Sequence, residues 1–326
     1  MRIFTEKGLT VPKTSDPQAV QKALAPGSQL LWLDLNADDP ASTRKIMEEC
    51  FHFHPLAIDD ALVETHIPKI DDWGEYLYLA LEGVPAGQPL DDINKSLELD
   101  IFMGKSYLVT YHPEPISAIE IVQKNCQRDS RLLQRGVNYL LYQIMDELAN
   151  EYMLLIDKLD EEVEDIEDQV MEKPGSDMLQ DIFGIKRSLL NMRRIVSPQR
   201  EVLNKLSRGD FEVVGQKERM YYRDVYDHMV RVQDITENLR DLVSGALDTY
   251  LSVVNNRLND IMKTLTIITT LFMPLSFLTG FFGMNFFEPV GNLRAWTGTP
   301  AFYVVMAIML GLPLGMYLWM RRRDWM

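Results

Sequence analysis

The sequence predicts an α+β domain followed by long helices and a C-terminal two-helix transmembrane hairpin. Three observations carry that reading. Two runs near the C-terminus, Thr264 to Phe287 and Ala295 to Met320, contain no Asp, Glu, Lys or Arg over 24 and 26 positions. Each is long enough to cross a hydrocarbon core of about 30 Å as a helix. Short apolar runs bounded by Pro, Gly and Asp are confined to the first 125 or so residues, and beyond them apolar residues recur at helical spacing.

The strand-like segments are "QLLWLDL" (29–35), "YLYLALEGV" (76–84), "KSLELDIFMG" (95–104) and "SYLVTYH" (106–112). "DPASTRKIMEECF" and "PLAIDDALVE" read as helices between them. In "CFHFHP", Cys50, His52 and His54 alternate, so a strand there would put all three on one face and allow a zinc site. No second ligand pair follows at zinc spacing, which favours simple packing. "DLNADDPASTRK" opens like a calcium loop at Asp34, Asn36 and Asp38, but has Asp39 where glycine and Lys45 where glutamate are required. Two cysteines, Cys50 and Cys126, cannot build a disulfide framework and fit a reducing compartment.

The first long helix spans residues 138–173, with Leu141, Ile144, Met145, Leu148, Met153, Ile156, Leu159, Val163, Ile166 and Val170 in one stripe. "EKPGSD" ends it. A second runs from Met178 to Leu206, with a bend expected near Pro198. A third starts around Gln216 and meets no proline until Pro274, so it runs into the first span as a helix about 100 Å long. Nine carboxylates and one lysine occupy Asp157 to Glu172; such a run is a solvated face, and can also concentrate cations. The expected divisions are 1–129, an α/β domain; 130–262, long helices; and 263–326, the hairpin and basic tail.

The formal charge of −15 is unevenly held: residues 1–263 carry 46 acids and 29 Lys and Arg, a net of −17. An acidic domain of this kind is not a nucleic-acid binder. Lys263 precedes the first span and Arg321, Arg322 and Arg323 follow the second, so the positive-inside rule puts both termini in the cytoplasm. The start, "MRIFTEKGLTVPK", has no secretory or organellar leader pattern. No phosphate-binding loop, dinucleotide fingerprint, zinc-protease helix or serine elbow is present, so neither nucleotide use nor enzymatic chemistry is expected.

On the first span, Asn259, Met262, Leu265, Thr269, Met273, Ser276 and Gly280 follow at steps of three or four and share a face. The other side carries Ile268, Leu271, Leu275 and Leu278. A small and polar stripe serves helix–helix packing or lines a pore. Two spans cannot enclose a pore, so that reading requires several copies. The stripe ends in "LTGFFGMNFF", where Gly283, Met284 and Asn285 close the apolar run. An amide carbonyl there could bond the water shell of Mg²⁺, which dehydrates reluctantly and prefers oxygen.

"KTLTIITTLFMPLSFLTGFFGMNF", a second span and a tail ending "RRRDWM" resemble the CorA family of magnesium and cobalt channels, whose signature is Gly-Met-Asn. "FHPLAIDDALVETHIPKIDDWGEYLYLAL" and "RDVYDH", with the helix leading to "KTLT", are similar to the family's cytoplasmic domain. The resemblance implies a homopentameric funnel in the cell inner membrane, contacting lipid, with the first spans around the pore. Gly283, Met284 and Asn285 would form the selectivity loop, Leu265 and Met273 a hydrophobic constriction, and Asp248 would lie in the inner vestibule. Asp60 and Asp224, with Asp59 and Asp146 nearby, fall where the family has regulatory cation sites between subunits. Arg321, Arg322 and Arg323 would form a basic ring. Phe282 replaces the Tyr often found before the signature. The expected function is Mg²⁺ import under feedback by internal Mg²⁺, with Co²⁺ or Ni²⁺ as secondary ions. The alternatives are a Zn²⁺ transporter of the related ZntB type, whose members commonly carry Gly-Ile-Asn, and a membrane-tethered helical scaffold.

Overall fold

The computed structural model describes residues 1–5, 8–10, 17–24, 30–36, 40–63, 67–86, 96–129, 131–172, 175, 177–284 and 298–323. The chain divides into two units, Met1–Leu247 and Asp248–Met326.

The first unit is built on a seven-stranded sheet: β1 (Arg2–Thr5), β2 (Gly8–Thr10), β3 (Leu31–Asn36), β4 (Lys69–Asp72), β5 (Leu77–Gly83), β6 (Leu97–Met103) and β7 (Tyr107–His112). Its order is β2-β1-β3-β7-β6-β5-β4. β3 and β7 pair in parallel and every other neighbour is antiparallel. β5 is buried along its whole length, and β3 up to its last residue. Burial on both faces explains why these strands read as apolar runs rather than alternations.

Helices α1 (Pro17–Ala23), α2 (Pro40–Glu49) and α3 (Pro55–Leu62) belong to one side. There Leu31, Leu33, Tyr78, Phe102 and Val109 share a core with Ile46, Met47, Ala57 and Ile58. "CFHFHP" does not form a strand. Cys50 follows α2, His52 takes a left-handed φ of 54°, and Phe53 stacks on Phe102 at 4.2 Å. His54 caps α3, its Nδ1 accepting from the Leu56 N–H at 3.2 Å. The strand that would have put Cys50, His52 and His54 on one face is therefore absent, and among the described residues no group of three His, Cys, Asp or Glu side chains is placed to hold a metal ion.

On the other side lie α4 (Ser117–Arg128), α5 (Arg131–Gln134), α6 (Val137–Glu172) and α7 (Met178–Arg208). Asp34, first residue of the calcium-loop lookalike, is buried in β3. It accepts from Thr110 Oγ1 at 2.7 Å and Gln123 Nε2 at 2.7 Å, and lies 3.0 Å from His112 Nε2. The α6 stripe matches expectation except at one turn, where Tyr152 is buried and Met153 is only half-buried. Tyr152 donates its hydroxyl to the Glu82 carbonyl at 2.8 Å, while Gln199 of α7 accepts from the Glu82 N–H at 2.7 Å. β4 pairs with β5 only as far as Ala80, so two helices satisfy the strand's backbone where the neighbouring strand has ended. α7 continues through Pro198.

Helix α8 is a single element, Arg219–Gly283, with residues in both units, and α9 is Thr299–Arg322. α8 runs through Pro274 without interruption.

One buried acid in the first unit has a measurable consequence. Glu151 on α6 is 4% exposed, and neither carboxylate oxygen makes a well-aligned hydrogen bond. Burial pushes its pKa up to about 7, with the nearby Ser117 hydroxyl and Val84 backbone offsetting only part of that effect. The folded state therefore holds a proton that the unfolded chain releases near the ordinary value of 4.5. The associated stability is present below that value and is lost as pH rises through 7. Glu151→Gln should stabilise the full-length chain in detergent by about 2–3 kcal/mol at pH 8 and leave it unchanged near pH 4.5. Denaturant melts at both values check this, and an equal change at both would contradict it.

Candidate functional site

The second unit leaves its apolar surface largely uncovered. Both α8 beyond Asp248 and α9 are long and apolar enough to cross a membrane. Beyond Lys263, burial is confined to one side of each helix. On α8, Ile267, Thr270, Leu271, Pro274, Leu275 and Leu278 are half-buried; on α9, Ala301, Val305, Met309, Pro313 and Met316 are half-buried and Met320 is buried. At 100° per residue the α8 set centres opposite the stripe of Asn259, Met262, Leu265, Thr269, Met273, Ser276 and Gly280. Every residue of that stripe is exposed, with Met262, Leu265 and Met273 at 59%, 56% and 65%. The predicted stripe thus lies within the surface of α8 that a single chain leaves uncovered, a surface that also includes Ile268, Phe272 and Phe277.

Its chemistry is oxygen and thioether. Thr269 donates its hydroxyl proton to the Leu265 carbonyl at 2.8 Å, leaving the oxygen as an acceptor toward whatever faces the stripe. Pro274 lacks an N–H, so the Thr270 carbonyl receives no backbone donor one turn on. Gly283 ends α8 and Met284 follows it, exposed. Asn285 lies outside the described residues. Asp248, the first residue of this unit, is exposed. Arg321, Arg322 and Arg323 are exposed at the end of α9, and the Arg323 guanidinium stands 5.8 Å from the Trp319 ring.

The four acids singled out in the first unit fall into two sets. Asp59 and Asp60 lie on α3, each with a cation at 2.6 Å: Arg44 Nη2 for Asp59 and Lys69 Nζ for Asp60. Lys69 also reaches Asp71 at 3.1 Å. Behind them Tyr78 donates to Asp100 at 2.6 Å, and burial holds that carboxyl well above the usual range. Asp146 on α6 and Asp224 on α8 form the second set. Burial raises Asp146, His228 at 3.7 Å opposes the shift, and Asp224 adds to it. All four offer carboxylate oxygen, the donor type that hard divalent cations take.

Sequence reasoning does not single out Lys69, Asp71 or His228. "PKIDD" carries a usable signal, since Lys69 and Asp71 alternate on one strand face. Their meeting with Asp60 depends on α3 packing beside β4, which no local pattern reveals.

The family model of CorA-like Mg²⁺ transporter proteins matches residues 27–322. The chain is 31% identical over 315 residues to the cobalt/magnesium transport protein CorA of Thermotoga maritima, covering 96% of this chain and 88% of that protein. It is 22% identical over 305 residues to the zinc transport protein ZntB of Yersinia pseudotuberculosis, covering 93% and 90%. Among solved structures, the complete CorA magnesium transporter from Methanocaldococcus jannaschii matches with a TM-score of 0.82 at 22% identity, covering 100% of this chain and 98% of that one. The α+β unit, the long helices and the paired apolar helices are therefore a shared architecture. Because the family match takes in strands β3 to β7, the acid-bearing helices and both candidate spans together, the chain belongs to the CorA family of divalent-cation transport proteins.

Proposed function

We propose that this chain is the subunit of a homopentameric Mg²⁺ importer of the cell inner membrane, with both termini cytoplasmic and Co²⁺ or Ni²⁺ as secondary ions. The observation that carries the reading is the uncovered stripe from Asn259 to Gly280, opposite the side of α8 that its own unit covers. A face with oxygen and thioether groups, left free by the hairpin, suits a shared axis better than lipid. The domain divisions at 129 and 262 remain those proposed from sequence.

In this reading the ion is cargo and keeps its water. Asn285 of each copy would accept from the hydration shell outside, with Gly283 and Met284 shaping the loop. Thr269, Ser276 and Asn259 would supply oxygens along the path, and Leu265 and Met273 would close it by excluding water. The membrane potential contributes about 4.6 kcal/mol per 100 mV for a double charge, so downhill entry needs no nucleotide. Asp248 would hold cations in the inner vestibule, and Arg321 to Arg323 would surround the pore helices near the lipid headgroups.

Feedback would come from the acids of the first unit. Two carboxylates about 4 Å apart repel by about 4 kcal/mol at an effective dielectric of 20, so acids meeting between subunits close only while a cation neutralises them. Asp60 of one copy and Asp224 of the next, with Asp59 and Asp146 beside them, would form such a site. Asp224 and the constriction are both carried by α8. Loss of internal Mg²⁺ would shift the population toward conducting states.

The similarity to a zinc transport protein supports a second reading, Zn²⁺ as cargo. Ion uptake into proteoliposomes decides between them: Mg²⁺ flux driven by potential is expected, and Zn²⁺ flux without Mg²⁺ flux would refute the first. Asn285→Ala should abolish uptake while the detergent-solubilised oligomer keeps its mass; normal uptake would remove the selectivity role. Leu265→Ser or Met273→Ser should raise flux several-fold by making the constriction easier to wet, and unchanged conductance in both would count against a gate there. Asp224→Asn should weaken inhibition by internal Mg²⁺. A wild-type inhibition curve for Asp224→Asn combined with Asp60→Asn would move the sensor elsewhere.

A further inference from the structure

The Asp60 carboxylate already has a cation. Lys69, on the edge strand β4, holds Nζ at 2.6 Å from Asp60 Oδ2 and 3.1 Å from Asp71 Oδ2. The same ammonium stands 5.2 Å from the centre of the Tyr78 ring, whose hydroxyl is tied to buried Asp100 at 2.6 Å. The Lys69 side chain is 32% exposed, and those of Asp60 and Asp71 are 41% and 43% exposed. We propose that Lys69 is an internal competitor that sets the divalent-cation threshold at Asp60: its ammonium neutralises Asp60 while no ion is bound and moves onto Asp71 when one arrives. The inference rests on reading Asp60 as a regulatory carboxylate.

The geometry favours exchange over a fixed pair. An ammonium is a compact point charge with three rotatable donors on a flexible stem, so it can change carboxylate partners with a small movement of the chain end. Asp71 and the Tyr78 face keep the charge compensated after it leaves Asp60. Without Asp71 the ammonium would be left half-buried and unpaired, and releasing Asp60 would cost more. Asp71 therefore acts on cation binding through Lys69, and Lys69 acts on it by occupying the oxygen that the cation needs.

The test is limited proteolysis of the full-length chain in detergent across a MgCl₂ series, reading the concentration that half-protects the N-terminal unit. Lys69→Met keeps the stem over Tyr78 and removes the charge, and should lower that concentration about two- to five-fold, the range of a partly exposed ion pair. Asp71→Asn should raise it. The double variant separates exchange from a general change of field: if Asp71 works only through Lys69, the double variant keeps the low midpoint of Lys69→Met. Additive shifts overturn the proposal, as does a wild-type midpoint in either single variant. Asp60→Asn reports on the parent reading: a wild-type curve there means that Asp60 is not a sensor. A shifted Asp60→Asn curve beside unshifted Lys69 and Asp71 variants means that only the exchange is wrong.

Discussion

The exposed apolar surface of α8 and α9 is the constraint on which the rest of the structure depends. Leu251, Leu258, Ile261, Leu265, Phe272, Met273 and Phe277 on one helix, and Phe302, Tyr303, Leu310 and Leu314 on the other, stand open. In water each large apolar side chain would forgo about 1.5–3 kcal/mol of burial. A bilayer removes that cost for most of the surface, and the helical backbone satisfies its own polar groups there. Lipid offers no partner for the Ser276 hydroxyl or for the acceptor side of Thr269, whose proton already goes to the Leu265 carbonyl. The surface therefore sorts itself into three parts: a side covered within the unit, a side suited to hydrocarbon, and a side that needs either water or another copy.

The first unit faces the opposite problem, an excess of negative charge. Several acids have local remedies. Arg44 and Lys69 neutralise Asp59 and Asp60, and Arg193 and Arg240 flank Glu237 at 3.0 and 2.7 Å. Buried Asp34 is spread over three hydrogen-bonding neighbours. Exposed pairs of this kind contribute little stability, on the order of 0–1 kcal/mol each. Their effect is on what the surface attracts. A carboxylate with an internal cation binds an external one only by exchange, so the ion pairs moderate the pull of residues 1–263, whose net charge is −17.

Much of this is readable in the sequence, for physical reasons that differ by element. α6 and α7 declare themselves through long runs at helical spacing, and β3, β5, β6 and β7 through apolar segments bounded by turn residues. β1, β2 and β4 escape such a reading because three or four residues are too few to display a period, and their pairing comes from neighbours distant in sequence. Met153 is misplaced by periodicity because the seam steps through Leu148, Tyr152 and Ile156; the tyrosine belongs to it by bonding its hydroxyl to Glu82. The exposed stripe on α8 is visible because it needs only one helix to define it. The Lys69 pair is not, since Asp60 and Lys69 come from a helix and an edge strand brought together by tertiary packing.

The donor inventory bears on the choice of ion. Zn²⁺ takes thiolate and imidazole as well as carboxylate, and among the described residues the thiols and imidazoles are few. Cys126 is buried and its thiol is pushed up to about 11, far from the thiolate that a metal needs. His54 accepts from Leu56, His52 lies 3.0 Å from the Glu48 carbonyl, and His112 lies between Glu114 and Asp34. Among the described residues, His228 beside Asp146 is the imidazole paired with a proposed sensor residue. The stripe of α8 has neither histidine nor cysteine, and its polar groups are amide, hydroxyl and thioether. Such groups are poor at stripping a borderline-soft ion of its water and well suited to bonding the water of a hard one. If the stripe lines the path proposed above, its groups suit an ion that crosses hydrated, and this is the chemical ground for proposing magnesium as the cargo beside the likeness to both kinds of relative.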